Sequence, residues 1–265
     1  MQFSVLSSGS KANSTFIEVG SQRILIDCGL SGREAGRRLL SLGIDPASLD
    51  AILVSHEHSD HINGVGILSR KFKIPVYVNE ATSQFLSGIE RVEIFENGAD
   101  FTIANVNVSS FTIVHDAVDP VGFVLNCEGL KFSLATDLGK VTTVVREAIS
   151  GSNGLVLEAN HDLGMLYESD YPWQLKQRIS SSHGHLSNDV SGRLLREITH
   201  SDLNHVVLGH LSENCNTPEI ALSTIKRYLE GAQGAANFSL LCGSMAGPTP
   251  LMRVDEEPNK LSAQG

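Results

Sequence analysis

The chain has 265 residues, a formal net charge of −10 (20 Lys and Arg against 30 Asp and Glu), 41% apolar residues and 19% charged residues. A chain of this size buries about three-quarters of its unfolded surface without disulfide staples, and its apolar fraction excludes a disordered or collagen-like polymer. It has no run of about 18 apolar residues to enter a membrane, no signal-peptide pattern at its start, and no CxxC pair among Cys28, Cys127, Cys215 and Cys242, so a reduced, cytoplasmic protein is expected.

In chain order, short apolar runs bounded by turn residues predict strands over 3–7, 15–19 and 23–27. A helix over 31–42 follows a Ser cap, and a strand over 51–55 comes next. The span 61–72 carries Ile62, Val65, Leu68 and Phe72 on one helical face, and 75–78 reads as a strand. Strands over 105–114, 121–127 and 130–136 follow; the alternation Asn105-Val106-Asn107-Val108 marks a sheet with one wet face. A helix over 140–149, a strand over 154–159 and helices over 171–179 and 188–198 come next, then a strand over 205–210. The helix over 217–229 is the best signalled: Thr217 caps it, Pro218 starts it, Ala221, Ile225 and Tyr228 line one face, and Gly231 ends it. Strand meanders mixed with helices in this order predict two packed sheets with helices outside. No linker divides the chain, so one domain is expected over 1–254, with a polar tail over 255–265.

The segment Ser55-His56-Glu57-His58-Ser59-Asp60-His61 follows an apolar strand and opens a helix. Strand ends are where α/β proteins carry chemistry. Residues two apart on an extended strand share a side, so His56 and His58 can reach one cation. Asp60 and His61 turn with the chain and can serve a second cation nearby. This mixed N/O set suits Zn²⁺, Mn²⁺ or Fe rather than Ca²⁺. Further candidates close other apolar runs: Asp27 after RILI, His115 after FTIV, Asp137 after KFSLAT and His210 after HVVLG. Taken singly, Asp27 also fits a helix cap and His115 an ordinary loop histidine. Their shared position after four apolar runs favours a convergent site.

In order and residue type, these positions resemble the motifs of the metallo-β-lactamase fold superfamily over nearly the whole chain. The resemblance implies an α/β fold, a four-layer αββα sandwich with two divalent metal ions at the sheet edges. It assigns His56, His58 and His115 to one metal, Asp60, His61 and His210 to the other, Asp137 to the bridge, and Asp27 to orienting the ligands. Ser7-Ser8-Gly9-Ser10-Lys11-Ala12-Asn13-Ser14, His115-Asp116-Ala117, Thr136-Asp137-Leu138-Gly139, Glu158-Ala159-Asn160-His161-Asp162, Gly184-His185-Leu186-Ser187-Asn188 and His210-Leu211-Ser212 narrow it further. Together they resemble the YycJ (WalJ) family, although Ala12 and Cys215 depart from a pattern with Gly and Asn there. That resemblance implies a 5′-to-3′ DNA exonuclease, an activity suited to DNA repair, hydrolysing the phosphodiester with a water activated between the cations.

Asp60 is then placed to orient the attacking water, and His185 to serve the leaving group. The polar opening with Ser10, Lys11 and Asn13 is a candidate phosphate contact or a plain turn between strands. Asn160, His161 and Asn188 are further candidate substrate contacts; Asn188 also fits a helix cap. His183, His200 and His205 read as structural or surface histidines. Alternatives are an RNA, cyclic-nucleotide or thioester substrate at the same site, or a metal-stabilised signalling module without catalysis. Two divalent ions would take the charge of −10 to about −6. Acidity therefore does not exclude a nucleic acid such as a DNA end, bound locally through the metals and the clusters Arg33/Arg37/Arg38, Arg70/Lys71/Lys73 and Lys176/Arg178. The oligomeric state is not encoded in any of these signals.

Overall fold

Strands that are apolar on both faces need cover from two sides. In the computed structural model, which describes residues 1–232 and 238–254, two sheets supply that cover for each other and helices supply it outside. The first half contains β1 (Gln2–Ser7), β2 (Ser14–Val19), β3 (Gln22–Ile26), α1 (Gly32–Ser41), β4 (Ala51–Leu53), α2 (Ser59–Ile62), α3 (Val65–Phe72), β5 (Pro75–Asn79), α4 (Glu80–Ser83) and β6 (Arg91–Phe95). The second contains β7 (Asp100–Ile103), β8 (Val106–Thr112), β9 (Val121–Cys127), β10 (Leu130–Ala135), α5 (Thr143–Ile149), β11 (Gly154–Glu158), α6 (Leu163–Glu168), α7 (Trp173–Ile179), α8 (Asn188–Ile198), β12 (His205–Gly209), α9 (Pro218–Leu229), β13 (Ser239–Cys242) and β14 (Met252–Arg253). The sheets run β14-β1-β2-β3-β4-β5-β6 and β13-β12-β11-β10-β9-β8-β7.

Each sheet is an antiparallel meander that continues into parallel strands, from β3 to β6 in one and from β10 to β13 in the other. The alternation of side chains sorts the core into layers. Ile24 and Ile26 of β3 face the second sheet, as do Val156 and Val207 from the other side. Leu25 turns outward into a layer with Ala35 and Leu39 of α1 and Val65 and Leu68 of α3. Leu155, Leu157 and Leu208 turn outward towards α5, α8 and α9. The result is the expected αββα sandwich. The polar tail expected over 255–265 lies outside the described residues.

Several local expectations need correction. The helix expected over 61–72 is two helices, broken at Asn63-Gly64. A Cβ on Gly64 would lie 2.2 Å from the Leu30 carbonyl oxygen, so close packing of two loops fixes the break. Ser187, not Asn188, caps α8 by accepting from Val190 N–H. Ser31 caps α1, so Asp27 is free for another task. Strands β6, β7, β13 and β14 escape periodicity because they lie at sheet edges or are short, and β6 is mostly exposed. All four cysteines are free. Among the described residues no helix is long and apolar enough to cross a membrane.

Candidate metal centre

Three of the candidate residues, each beyond the end of a strand, have left-handed backbone. Asp27 after β3 has φ 57°, Asp137 beyond β10 has φ 60°, and His210 after β12 has φ 57°. Non-glycine residues rarely adopt this region, and those that do cluster at functional sites. Beyond β4 the chain runs through Ser55 and His56, and His58 occupies the N-cap position of α2 without a side-chain cap bond. Gly29 lets two of these loops touch: a Cβ there would lie 1.7 Å from the Asp60 carbonyl oxygen. Gly184 plays the same part for the loop carrying His185, pressed against the carbonyls of Arg178 and Ile179 at the end of α7.

These turns bring the imidazoles and carboxylates into one cleft of about 270 Å³. Ligand atoms of His56, His58 and His115 lie within 4.8 Å of one another, as do those of Asp60, His61 and His210, and those of His56, His61 and Asp137. Asp137 also groups with His210, His185 and Glu158. His56 Nε2 lies 3.1 Å from His58 Nδ1, and His61 Nε2 lies 3.3 Å from Asp137 Oδ2.

The cluster is held from behind. Asp27 accepts from Ser55 N–H (2.8 Å) and the Ser55 hydroxyl (2.7 Å), and its Oδ2 lies 2.8 Å from His61 Nδ1. Ser55 Oγ in turn lies 2.9 Å from His56 Nδ1. Glu158, fully buried at the end of β11, is the counterpart on the second sheet. Its Oε1 is 2.9 Å from both His185 Nδ1 and His210 Nδ1, and its Oε2 accepts from the Leu138 and Leu186 amides. Such outer carboxylates fix the ring orientation of a ligating imidazole and raise its basicity.

Without cations this arrangement is electrostatically unbalanced. Burial pushes the carboxyl of Asp137 up, but the facing imidazoles of His210, His61, His56 and His115 outweigh it and hold the group well below the usual carboxylate range. Burial pushes His210 down, and Asp137, Asp60 and Glu158 carry it back up to about 10. His61 is likewise raised well above the usual imidazole range, against burial, by Asp137 and Asp27. His56 goes the other way, because burial and the neighbouring His61 both disfavour its charge. Asp137 Oδ2 and His210 Nε2 are buried without a hydrogen-bond partner. Buried polar atoms are normally satisfied. Two orphaned lone-pair donors among converging imidazoles fit a divalent cation of the N/O-liganded type.

The structure brings together His56, His58, Asp60, His61, His115, Asp137, His185 and His210, with Asp27 behind them. Ser10 and Asn160 border the cleft, and Asn160 Nδ2 donates to the His210 carbonyl. Four expected substrate contacts are elsewhere. Asn13 is buried and donates to Asp60 Oδ2 (3.0 Å) and the Gly9 carbonyl, so it holds a turn and a carboxylate. Asn188 is buried and paired with Asn216. Lys11 is exposed but bound to Glu213 at 2.6 Å. His161 lines a neighbouring cavity rather than the cleft. His200 and His205 bond backbone carbonyls, and His183 is exposed. Sequence reasoning assigned no role to Glu158 or Ser55. The signal for Glu158 was present, since an acidic residue ending the apolar run GLVL matches the pattern that singled out Asp27.

Comparison with known proteins agrees with this geometry. The family model described as beta-lactamase superfamily domain matches residues 22–211. The chain is 36% identical over 263 residues to a protein of Streptococcus pneumoniae serotype 2 named exodeoxyribonuclease WalJ, covering 96% of this chain and 98% of that one. It is 35% identical over 236 residues to exodeoxyribonuclease YycJ of Bacillus anthracis, covering 87% of this chain and 89% of that one. The metallo-beta-lactamase fold protein YhfI of Bacillus subtilis superposes with a TM-score of 0.69 at 15% identity, over 94% of this chain and 99% of that one, which speaks for the fold alone. The chain belongs to the beta-lactamase superfamily and, within it, to the group of the WalJ and YycJ exodeoxyribonucleases.

Proposed function

We propose that the protein is a metal-dependent exonuclease that hydrolyses DNA from its 5′ end. The observation that carries the reading is the cleft itself, where imidazoles and carboxylates from both sheets converge with Asp137 Oδ2 and His210 Nε2 buried without a hydrogen bond. The choice of DNA rests on the two relatives named exodeoxyribonuclease. His56, His58 and His115 would hold one ion, Asp60, His61 and His210 a second, and Asp137 would lie between them. When bound, Zn²⁺ or Mn²⁺ supplies Lewis acidity, which acidifies water and offsets phosphate charge.

The chain's own residues supply the rest. Asp60 is held by Asn13 at 3.0 Å and borders the cleft. Burial raises its carboxyl, but His210 and His61 outweigh that and keep it ionised, fit to orient an attacking water. His185 has its Nδ1 turned to Glu158, which leaves Nε2 as the atom able to serve the leaving oxygen. Tyr171 lines the cleft, and on the flanking helices α6 and α7 the exposed rings of Tyr167 and Trp173 lie 6.2 Å apart, an aromatic surface of the kind on which bases stack.

The test is a substrate and metal series. With Mn²⁺, 5′-labelled duplex DNA is expected to release nucleotides, and His58→Ala to abolish release. RNA, a cyclic nucleotide and a thioester are the other arms. Undiminished release by the variant refutes the mechanism, and turnover of another arm alone refutes the substrate.

A further inference from the structure

Next to the cleft lies a second cavity, of about 650 Å³, that has no part in the metal centre. His185 lines both, so one imidazole separates them. The far wall carries Lys140 and Arg193. Both are exposed, and neither makes a hydrogen bond or ion pair with a described residue. Other arginines on this side of the molecule are engaged: Arg146 with Glu197, Arg178 with Asp116, and Arg227 with Asp189. The Asp189 carboxylate at this cavity is already held, at 3.0 Å from the Tyr228 hydroxyl and 3.2 Å from Arg227. His161 forms part of the wall although it is only 1% exposed, and its ring has one polar neighbour, Asn160 Oδ1, 3.3 Å from Nδ1. α8 starts here with its Ser187 cap, adding the positive end of a helix dipole.

Two free cations and a helix start surround one space beside the reacting centre. We infer that this cavity is a second phosphate subsite, holding a phosphate of the substrate strand next to the one at the metal centre. Lys140 and Arg193 supply the charge that would hold it. The inference rests on the nuclease reading. It makes His185 a divider between two successive phosphates, so that the strand is gripped by its backbone on both sides of this ring.

The test separates the two readings. Binding of a fluorescent, 5′-phosphorylated single-stranded oligothymidine to EDTA-treated protein is measured by anisotropy over a salt series. The Lys140→Ala/Arg193→Ala double variant is expected to bind about tenfold more weakly, and its salt slope to fall by about one to two. Hydrolysis of bis(p-nitrophenyl) phosphate by the Mn²⁺-loaded variant, which needs only one phosphate position, is expected to match the unmodified protein. Both substitutions are on exposed, unbonded side chains, and Lys140→Arg/Arg193→Lys is expected to restore binding. If the oligonucleotide binds the unmodified protein and the double variant equally, the subsite is wrong and the nuclease reading stands. Loss of bis(p-nitrophenyl) phosphate hydrolysis in the variant also overturns the subsite, since the residues then act on the metal centre. If the unmodified protein binds no oligonucleotide at all, the subsite falls together with the nucleic-acid reading.

Discussion

Asp27 and Glu158 each do several jobs at once. Asp27 holds His61 and Ser55, and through Ser55 it holds His56. Asp27→Ala is expected to weaken metal binding by about 10- to 100-fold, measured by competition with a chromophoric chelator. Glu158→Gln keeps the volume but removes the carboxylate that faces two imidazoles, so nuclease activity should fall by a similar factor of about 10 to 100 with the secondary structure intact by circular dichroism. Protons also compete with the metal. In the metal-free protein His210 is raised to about 10, so at neutral pH its proton must leave when a cation binds. The sign follows: affinity rises with pH up to about 10 and falls as the solution is acidified. Each obligatory proton costs about tenfold per pH unit. Calorimetry in buffers of different ionisation enthalpy should record net proton release on metal binding. No proton release would show that the imidazoles are already neutral.

At the scale of elements, the helices contribute through their ends and buried stripes. Thr217 accepts from Ile220 N–H, Pro218 opens α9, and Ala221 and Ile225 bury against the second sheet. Thr217→Ala should cost about 1 kcal/mol in urea unfolding and leave metal binding unchanged, because no residue of α9 lines the cleft. Caps and stripes of this kind are legible because they are local, and α9 lies where its sequence signals put it. The break between α2 and α3 is not local. It depends on how closely Gly64 approaches Leu30, and nothing in the helical spacing of Ile62, Val65 and Leu68 foretells that approach. The edge strand β6 was hidden for a related reason: it is only five residues long, and its apolar Val92 and Ile94 stay exposed at the sheet edge.

For the whole molecule, the two sheets share one core, where Phe3 and Phe132 meet with ring centroids 4.8 Å apart. Phe132→Ala should destabilise by about 3–5 kcal/mol, measured by denaturant unfolding. Ligands of the metal centre come from loops of both sheets, so cations bind the assembled sandwich and not the unfolded chain. Chelation should therefore lower Tm, and saturation at about 100 times Kd should restore about 2.7 kcal/mol. The basic clusters seen in the sequence are mostly engaged. Arg37 and Arg38 bind Glu34, Arg38 also binds the carbonyls of Leu6 and Met245, and Lys176 binds those of Tyr167 and Ser169. The local cations left for a polyanion are few, which is why Lys140 and Arg193 stand out.

The sequence by itself determined the layered architecture and the residues that converge on the cleft. Both depend on residue type at strand ends and on period-two burial, which are properties of short segments. Tertiary structure alone decided which polar residues face solvent and which face inward. Asn13, Asn188 and Lys11 carry the chemistry of substrate contacts. Two of them are buried in the frame of the site and the third is tied to Glu213, because their partners Asp60, Asn216 and Glu213 lie 47, 28 and 202 positions away. Glu158 was overlooked for the converse reason. Its meaning comes from two histidines, 27 and 52 residues distant, that only the packing of β12 and of the loop before α8 against the end of β11 brings to one carboxylate.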